Sequence, residues 1–199
     1  MRYPKLRELK EAIRALIKGP YTSKFPHQPH TPYERFRGRP EFHEEDCIGC
    51  GACFQVCPAK AIEMQDKKDK RILSVHWDIC ICCGQCQANC LTAKGIILSR
   101  EFDLATTEKR EDLQQSIEKK LVACDCCGET IAPLDQILWV AKRLGPLVFS
   151  NASLMLFFLK NSGLSGQEPF SPRQEDQIDR FDRIKILCPR CRRQAVLKS

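Results

Sequence analysis

Apolar residues recur at helical spacing over residues 5–18, where Leu6, Leu9, Ile13, Leu16 and Ile17 share one face. Five basic and two acidic residues fill much of the remainder, and Gly19-Pro20 ends the pattern. This predicts an amphipathic helix. Its apolar face packs on a partner or on its own domain, or lies on a membrane surface with the basic residues toward anionic lipid. Residues 20–45 lose the periodicity. Pro20, Pro26, Pro29, Pro32 and Pro40 argue against regular structure, so the segment reads as an extended docking arm or a linker. Farther on, AIEMQ and RILSVHW flank the polar turn Asp66-Lys67-Lys68-Asp69-Lys70, which predicts a β-hairpin, and Gly95-Ile96-Ile97-Leu98 predicts a short strand. Leu113, Ile117 and Leu121 fall on one face of a helix predicted over 101–123. A further helix over 134–144 carries Leu134, Ile137, Leu138, Ala141 and Leu144. Residues 147–159 (LVFSNASLMLFFL) are strongly apolar but too short to span a bilayer, and suit a buried or partner-facing helix. Residues 161–176 have linker composition. The pattern divides the chain into a helix with a proline-rich arm (1–45), a middle domain (46–105) and a helical C-terminal lobe (106–199).

Composition changes this picture mainly through cysteine, of which the 199 residues contain 14. No apolar run is long enough for a transmembrane helix. The start, Met1-Arg2-Tyr3-Pro4-Lys5, leads into a mixed-charge segment rather than an apolar one, which argues against a secretory signal. The expected compartment is therefore reducing, and there cysteines in number point to metal ligands more than to disulfides.

The cysteines of the middle domain form an internal repeat. CIGCGACFQVC (47–57) matches CICCGQCQANC (80–90) at six of eleven positions, with a period of 33 residues. The first copy reads Cys47-x2-Cys50-x2-Cys53-x3-Cys57-Pro58, the bacterial ferredoxin spacing for a 4Fe–4S cluster. Three thiolates spaced three apart on a tight loop reach three corners of one cubane, and the fourth, on the helix that follows, points toward the other cluster. Gly51 leaves room for backbone N–H groups near cluster sulfur. The second copy reads Cys80-x2-Cys83-x2-Cys86-x3-Cys90, with Leu91 where a proline is expected. The crossed pattern gives cluster one Cys47, Cys50, Cys53 and Cys90, and cluster two Cys80, Cys83, Cys86 and Cys57. Cys82 could replace Cys80 or Cys83 only by spoiling the x2 spacing, and reads as a bystander next to the cluster.

Two further CxxC pairs, Cys124-x2-Cys127-Gly128 and Cys188-Pro189-Arg190-Cys191, can together supply a tetrahedral four-thiolate site for structural zinc; rubredoxin-like iron, or no metal, are the other readings. Cys126 could replace a neighbour only with poorer spacing. His27, His30, His43 and His76 show no ligand pattern, and Trp77, three residues before Cys80, is expected to pack over a cluster. Neither GxGxxG, GxSxG nor a P-loop motif is present, so no dinucleotide, hydrolase or phosphate-binding site is suggested. The chain reads as α+β: a two-cluster ferredoxin domain with an N-terminal amphipathic helix and extended arm, plus a helical lobe with a zinc-ribbon-like four-cysteine site. Two such clusters form a one-electron wire, and the large additions around the small ferredoxin core suggest docking rather than free diffusion.

Phe36-Arg37-Gly38-Arg39-Pro40, followed by CIGCGAC…CP and CICCGQC…C, resembles the two-cluster ferredoxin-like subunit of respiratory complex I. The order Leu98-Ser99-Arg100-Glu101-Phe102-Asp103-Leu104-Ala105, the Lys109…Asp112-Leu113-Gln114-Gln115-Ser116 segment, the 124–127 pair followed by Ile131-Ala132-Pro133, and the final Cys188-Pro189-Arg190-Cys191 resemble the iron–sulfur subunit of formate hydrogenlyase and related membrane-bound, energy-converting NiFe hydrogenases. The resemblance is weakest over 145–176, and its departures are Leu91, Cys82 and Cys126. It implies a non-catalytic electron-relay subunit, peripheral on the cytoplasmic face of the cytoplasmic membrane. Such a subunit passes electrons between an input iron–sulfur module and the hydrogenase small subunit, with the large subunit and membrane-arm subunits as further partners. The alternative is the equivalent subunit of a complex I-like quinone oxidoreductase, which ordinarily lacks the C-terminal CxxC pair. The formal net charge of +7 is spread along the chain with no concentrated stripe. Two clusters and a zinc site, each formally about −2 with its thiolates, would bring the loaded protein to about +1, which speaks against nucleic acid as a partner.

Overall fold

The computed structural model describes residues 5–19, 22–107, 109, 112–163 and 186–197. The chain forms two units, Met1–Phe36 and Arg37–Ser199. Pro20 and most of the 161–176 linker lie outside the described residues.

In the first unit, helix α1 (Leu6–Lys18) forms where the apolar periodicity predicts it. The Glu8 carboxylate accepts from the Lys5 N–H at 3.0 Å, and Gly19, at φ 80°, closes the other end by donating its N–H to Ala15 O at 2.9 Å. No residue of α1 is buried; Leu6, Leu16 and Ile17 are at least 80% exposed.

The second unit starts from the repeat. Each copy of the cysteine motif runs through a loop into a short helix, α2 (Ala52–Val56) or α3 (Gln85–Ala88), and each helix is entered through a left-handed glycine, Gly51 at φ 75° and Gly84 at φ 79°. The 33-residue period recurs in the backbone angles. Gly49 and Cys82 are both left-handed (φ 69° and 50°), as are Lys60 and Ala93 (φ 51° and 60°). The expected hairpin is β2 (Ile62–Lys67) against β3 (Lys70–His76), and the expected short strand is β4 (Ile96–Leu98). The core is Phe42, Ile62, Leu73, Val75, Ile96 and Ile117, closed together with Cys47, Cys53 and Cys86.

Three expectations are corrected. First, the proline-rich arm contains a strand, β1 (Pro40–Phe42), antiparallel to β4. A proline is tolerated as the first residue of a short edge strand, and Pro40 takes that place. Second, residues 114–123 are not helical but form strand β5 (Gln114–Ala123), antiparallel to β3 over seven residues. A four-residue spacing such as Leu113, Ile117, Leu121 fits one face of a strand as well as of a helix. The inward row is Gln115, Ile117, Lys119 and Leu121, and its lysine masks the period of two. The C-terminal lobe is therefore not purely helical: β5 and β6 (Thr130–Pro133) extend the hairpin to a four-stranded sheet ordered β2-β3-β5-β6. Third, the apolar run at 147–159 is split. A 3₁₀ turn (Gly145–Ser150) precedes α5 (Ala152–Asn161), because Asn151 caps α5 by accepting from Leu154 N–H at 3.1 Å. Helix α4 (Leu134–Leu144) forms as expected, and α6 (Pro189–Leu197) follows Cys188.

The β1–β4 pair continues outward through Gly38 N–H to Ser99 O (2.9 Å), Ser99 N–H to Arg39 O (2.9 Å) and Arg39 N–H to Glu101 O (3.1 Å). A Cβ on Gly38 would stand 2.2 Å from Glu101 O and 2.7 Å from Ser99 O, both fixed backbone atoms. Gly38→Ala must therefore push the two segments apart, with an expected loss of about 3 kcal/mol. Anaerobic denaturant unfolding checks this; an unchanged midpoint would show that the pairing tolerates the displacement.

Candidate iron–sulfur and metal centres

The eight repeat cysteines gather in two cavities. One is lined by Cys47, Cys50, Cys53 and Cys90 with Phe42, Leu73 and Ile96. The other is lined by Cys57, Cys80, Cys83 and Cys86 with Pro40, Ile62, Val75 and Leu98. Each motif thus contributes three cysteines to one cavity and its last cysteine to the other. The reason is local. Cys57 stands one residue past α2 in extended conformation, rather than on the helix as expected from sequence, and Cys90 follows α3 after Asn89. The shared walls place the cavities side by side. In the β1–β4 register Phe42 faces Ile96 and Pro40 faces Leu98, and Leu73 and Val75 are likewise two residues apart on one strand face.

Thiol electrostatics fit a cationic guest. Burial pushes Cys53 up to about 12 and Cys80 up to about 11, and raises Cys47 and Cys86. Such thiols stay protonated at neutral pH unless positive charge offsets the burial, and an iron core supplies that charge. Cys90 moves the other way. Burial opposes the shift, but the Thr92 hydroxyl, 3.4 Å away, and the N–H groups of Thr92, Gly95 and Ile96 outweigh it. Ala61 N–H donates to Cys57 Sγ at 3.3 Å. No cysteine is paired in a disulfide, so both donor sets are available to an iron–sulfur core.

Trp77 packs against the core rather than lining either cavity; its Nε1–H donates to Pro40 O at 2.7 Å and the Arg39 guanidinium stacks 4.4 Å from its ring centre. Cys82 lines the second cavity beside its cysteines. It occupies the position that Gly49 fills in the first copy, at φ 50°, which costs a side chain about 1–2 kcal/mol. Cys82→Gly is expected to keep all the iron and raise stability by up to about 1 kcal/mol, the gain being reduced by glycine's freedom in the unfolded chain. Loss of iron in this variant would make Cys82 a ligand.

The sulfurs of Cys124, Cys127, Cys188 and Cys191 lie within 4.8 Å of one another. Cys124 follows β5 directly, and the turn to β6 closes through Gly128 N–H to Cys124 O and Cys124 N–H to Glu129 O, both 2.9 Å. Across 61 residues, Asp125 exchanges two bonds with Ile186: Asp125 N–H to Ile186 O at 2.9 Å, and Ile186 N–H to Asp125 Oδ2 at 2.8 Å. Cys188 N–H then donates to Cys124 Sγ at 3.2 Å and Cys191 N–H to Cys188 Sγ at 3.4 Å. Burial opposes ionisation of Cys124, yet the N–H groups of Cys188, Cys127 and Cys126 outweigh it and hold this thiol down to about 6. Four converging sulfurs, one already favoured as thiolate, suit a tetrahedral metal ion. Cys126 is exposed and outside the set.

Sequence reasoning missed the groups that brace the first loop. Arg71 donates from Nη1 to Gly49 O at 3.0 Å while paired bidentately with Asp66 at 2.7 and 2.8 Å. Gln115 holds both the N–H and the C=O of Phe42, at 2.7 and 3.1 Å. Buried Lys119 donates to Glu44 O. The only sequence signal for these is a polar residue on a face that otherwise faces inward.

Residues 33–94 match the family model of the 4Fe–4S dicluster domain. The chain is 32% identical over 191 residues to formate hydrogenlyase subunit 6 of Escherichia coli (strain K12), covering 93% of this chain and 89% of that one. It is 31% identical over 99 residues to NAD(P)H-quinone oxidoreductase subunit I of Gloeobacter violaceus, covering 46% and 47% of the two chains. Among solved structures, a chain of the membrane-bound sulfane sulfur reductase, an archaeal respiratory membrane complex, aligns over 57% of this chain and 62% of that one at 30% identity and a TM-score of 0.41. Among the described residues no helix is long and apolar enough to cross a membrane.

Proposed function

Since the chain belongs to the family of 4Fe–4S dicluster subunits that includes formate hydrogenlyase subunit 6, we propose that it is the electron-relay subunit of a membrane-bound NiFe hydrogenase complex of the formate hydrogenlyase kind. The coarser statement, an iron–sulfur electron-transfer subunit of a formate hydrogenlyase or complex I-like respiratory complex, rests on both groups of relatives. The finer one rests on reach: the likeness to the hydrogenlyase subunit runs through 93% of the chain, against 46% for the Gloeobacter quinone oxidoreductase subunit.

In this reading Cys47, Cys50, Cys53 and Cys90 hold one 4Fe–4S cluster and Cys80, Cys83, Cys86 and Cys57 the other. When bound, each cluster takes up and releases a single electron. The chain's own residues fix the setting. Buried Leu73, Val75, Ile62 and Ile96 exclude water, and the N–H groups of Thr92, Gly95 and Ile96 favour the Cys90 thiolate. Cys124, Cys127, Cys188 and Cys191 hold a structural zinc, which has no redox role and fixes the C-terminal lobe. The partners are an electron-input iron–sulfur subunit, the hydrogenase small and large subunits and membrane-arm subunits. The subunit is peripheral, on the cytoplasmic face. Helix α1, with its apolar face exposed beside Arg7, Lys10, Arg14 and Lys18, suits an anionic lipid surface.

Anaerobic purification of the tagged native chain with its complex tests this. It should bring down a hydrogenase-type large subunit, with about eight iron and one zinc per copy of this chain once it is separated. Replacing Leu9 and Ile13 with aspartate should weaken retention on anionic vesicles without loss of iron. Recovery of quinone-reductase partners and no hydrogenase subunit would move the chain to the complex I-like reading; two iron or fewer would end both.

A further inference from the structure

Lys119 is the one charged residue buried among those described, 7% exposed on the inward face of β5. A lysine in that place has to be compensated, and its surroundings show how. Its Nζ pairs with Asp135 Oδ2 at 2.9 Å, in the first turn of α4, and donates to Glu44 O, three residues before Cys47. Its stem fills the space over the first cysteine loop: a Cβ on Gly49 would touch Lys119 Cβ and Cγ at 3.1 Å. The ammonium is thus pinned beside the loop that carries Cys47 and Cys50. The loop of the second motif has no buried cation among the described residues. Its contact is the exposed Arg37, whose Nη1 donates to Cys83 O at 3.2 Å.

We propose that Lys119 is a positioning residue that raises the reduction potential of the cluster held by Cys47, Cys50, Cys53 and Cys90 selectively over its neighbour, with Asp135 as the counter-charge that moderates it. The proposal rests on the ligand reading given above. Uptake of one electron adds one negative charge to a cluster, so a fixed cation favours the reduced form, and low dielectric and exclusion of water strengthen the effect. A carboxylate on the cation's far side weakens it. Because Lys119 and Asp135 both lie beyond the repeat, this lets the C-terminal lobe set an asymmetry that the repeat itself does not encode.

The test is anaerobic redox titration of the full holoprotein by film voltammetry and EPR, reading the two midpoint potentials in wild type, Lys119→Met, Lys119→Arg and Asp135→Asn, each with its iron content. One midpoint is expected to fall in Lys119→Met, to stay near wild type in Lys119→Arg and to rise in Asp135→Asn, while the other midpoint holds. Unchanged midpoints, equal movement of both, or movement of Asp135→Asn in the same direction as Lys119→Met would overturn the proposal. If Lys119→Met fails to load iron, the Asp135→Asn direction still decides. Iron near eight per chain in wild type keeps failure of this proposal distinct from failure of the ligand reading.

Discussion

Cys90→Ala and Cys50→Ala should leave the same residual cluster, and Cys57→Ala and Cys83→Ala the other. Each variant is expected to fall from about eight iron per chain to about four, since a cubane that loses a thiolate ligand and gains solvent is the labile one of the two. The pairing across the sequence is the discriminating part. Cys50 and Cys90 are forty positions apart but line one cavity, whereas Cys57, seven residues from Cys50, lines the other. EPR of the dithionite-reduced proteins separates the outcomes, because each pair of variants should give one matching spectrum and the two pairs should differ. If Cys57→Ala matched Cys50→Ala instead, each motif would hold its own cluster and the crossed assignment would fall. The effect is large because the cavity walls are apolar and hold no spare polar side chain beside Cys90 except Thr92.

The crossed lining of the two cavities follows the pattern expected from the cysteine spacing, and the same 33-residue period governs sequence and backbone. Gly51 and Gly84 show it most plainly, as paired left-handed residues opening paired helices. The hairpin is legible for a different reason: its apolar and polar residues alternate, and a polar turn interrupts them. What is not legible depends on partners distant in sequence. Gln114–Ala123 reads as a helix when only Leu113, Ile117 and Leu121 are weighed, and becomes a strand because β3 offers an open edge. Its inward Lys119 hides the alternation, since a buried lysine makes sense only once Asp135 and the Glu44 carbonyl are in place. Pro40 discourages a strand, although three residues at an edge need few N–H donors. The approach of the four C-terminal sulfurs is expected from two CxxC pairs. The bonds between Asp125 and Ile186 that bring the pairs together carry no motif at all.

Those bonds bear on the second large effect, expected when the four-cysteine site loses a ligand. Cys188→Ala should release one metal ion per chain, zinc in the reading proposed here, while all cluster iron remains. Among the described residues, the apolar packing around Cys188 is small. Among those residues, the buried cluster at this site consists of Cys124, Cys188 and Cys191, with Ile131 and Leu187 packed against it. Burying two such aliphatic side chains contributes a few kcal/mol at most, less than ordering a dozen residues costs. Metal binding has to supply the difference, as it does in small zinc domains. Without the ion, four thiols within 4.8 Å of one another lose their reason to converge, and Cys191, raised by its hydrogen bonds to the neighbouring sulfurs, simply keeps its proton. Local stability over residues 186–197 should therefore fall by several kcal/mol. Hydrogen exchange should become fast there and at the β5–β6 turn, while amides of β2 and β3 stay protected. The same exchange pattern should appear in wild type treated with a zinc chelator, and re-adding zinc should reverse it there but not in Cys188→Ala. Iron lost in step with the released metal would mean that the site shares ligands with the clusters; unchanged exchange over 186–197 would mean that packing alone holds the segment.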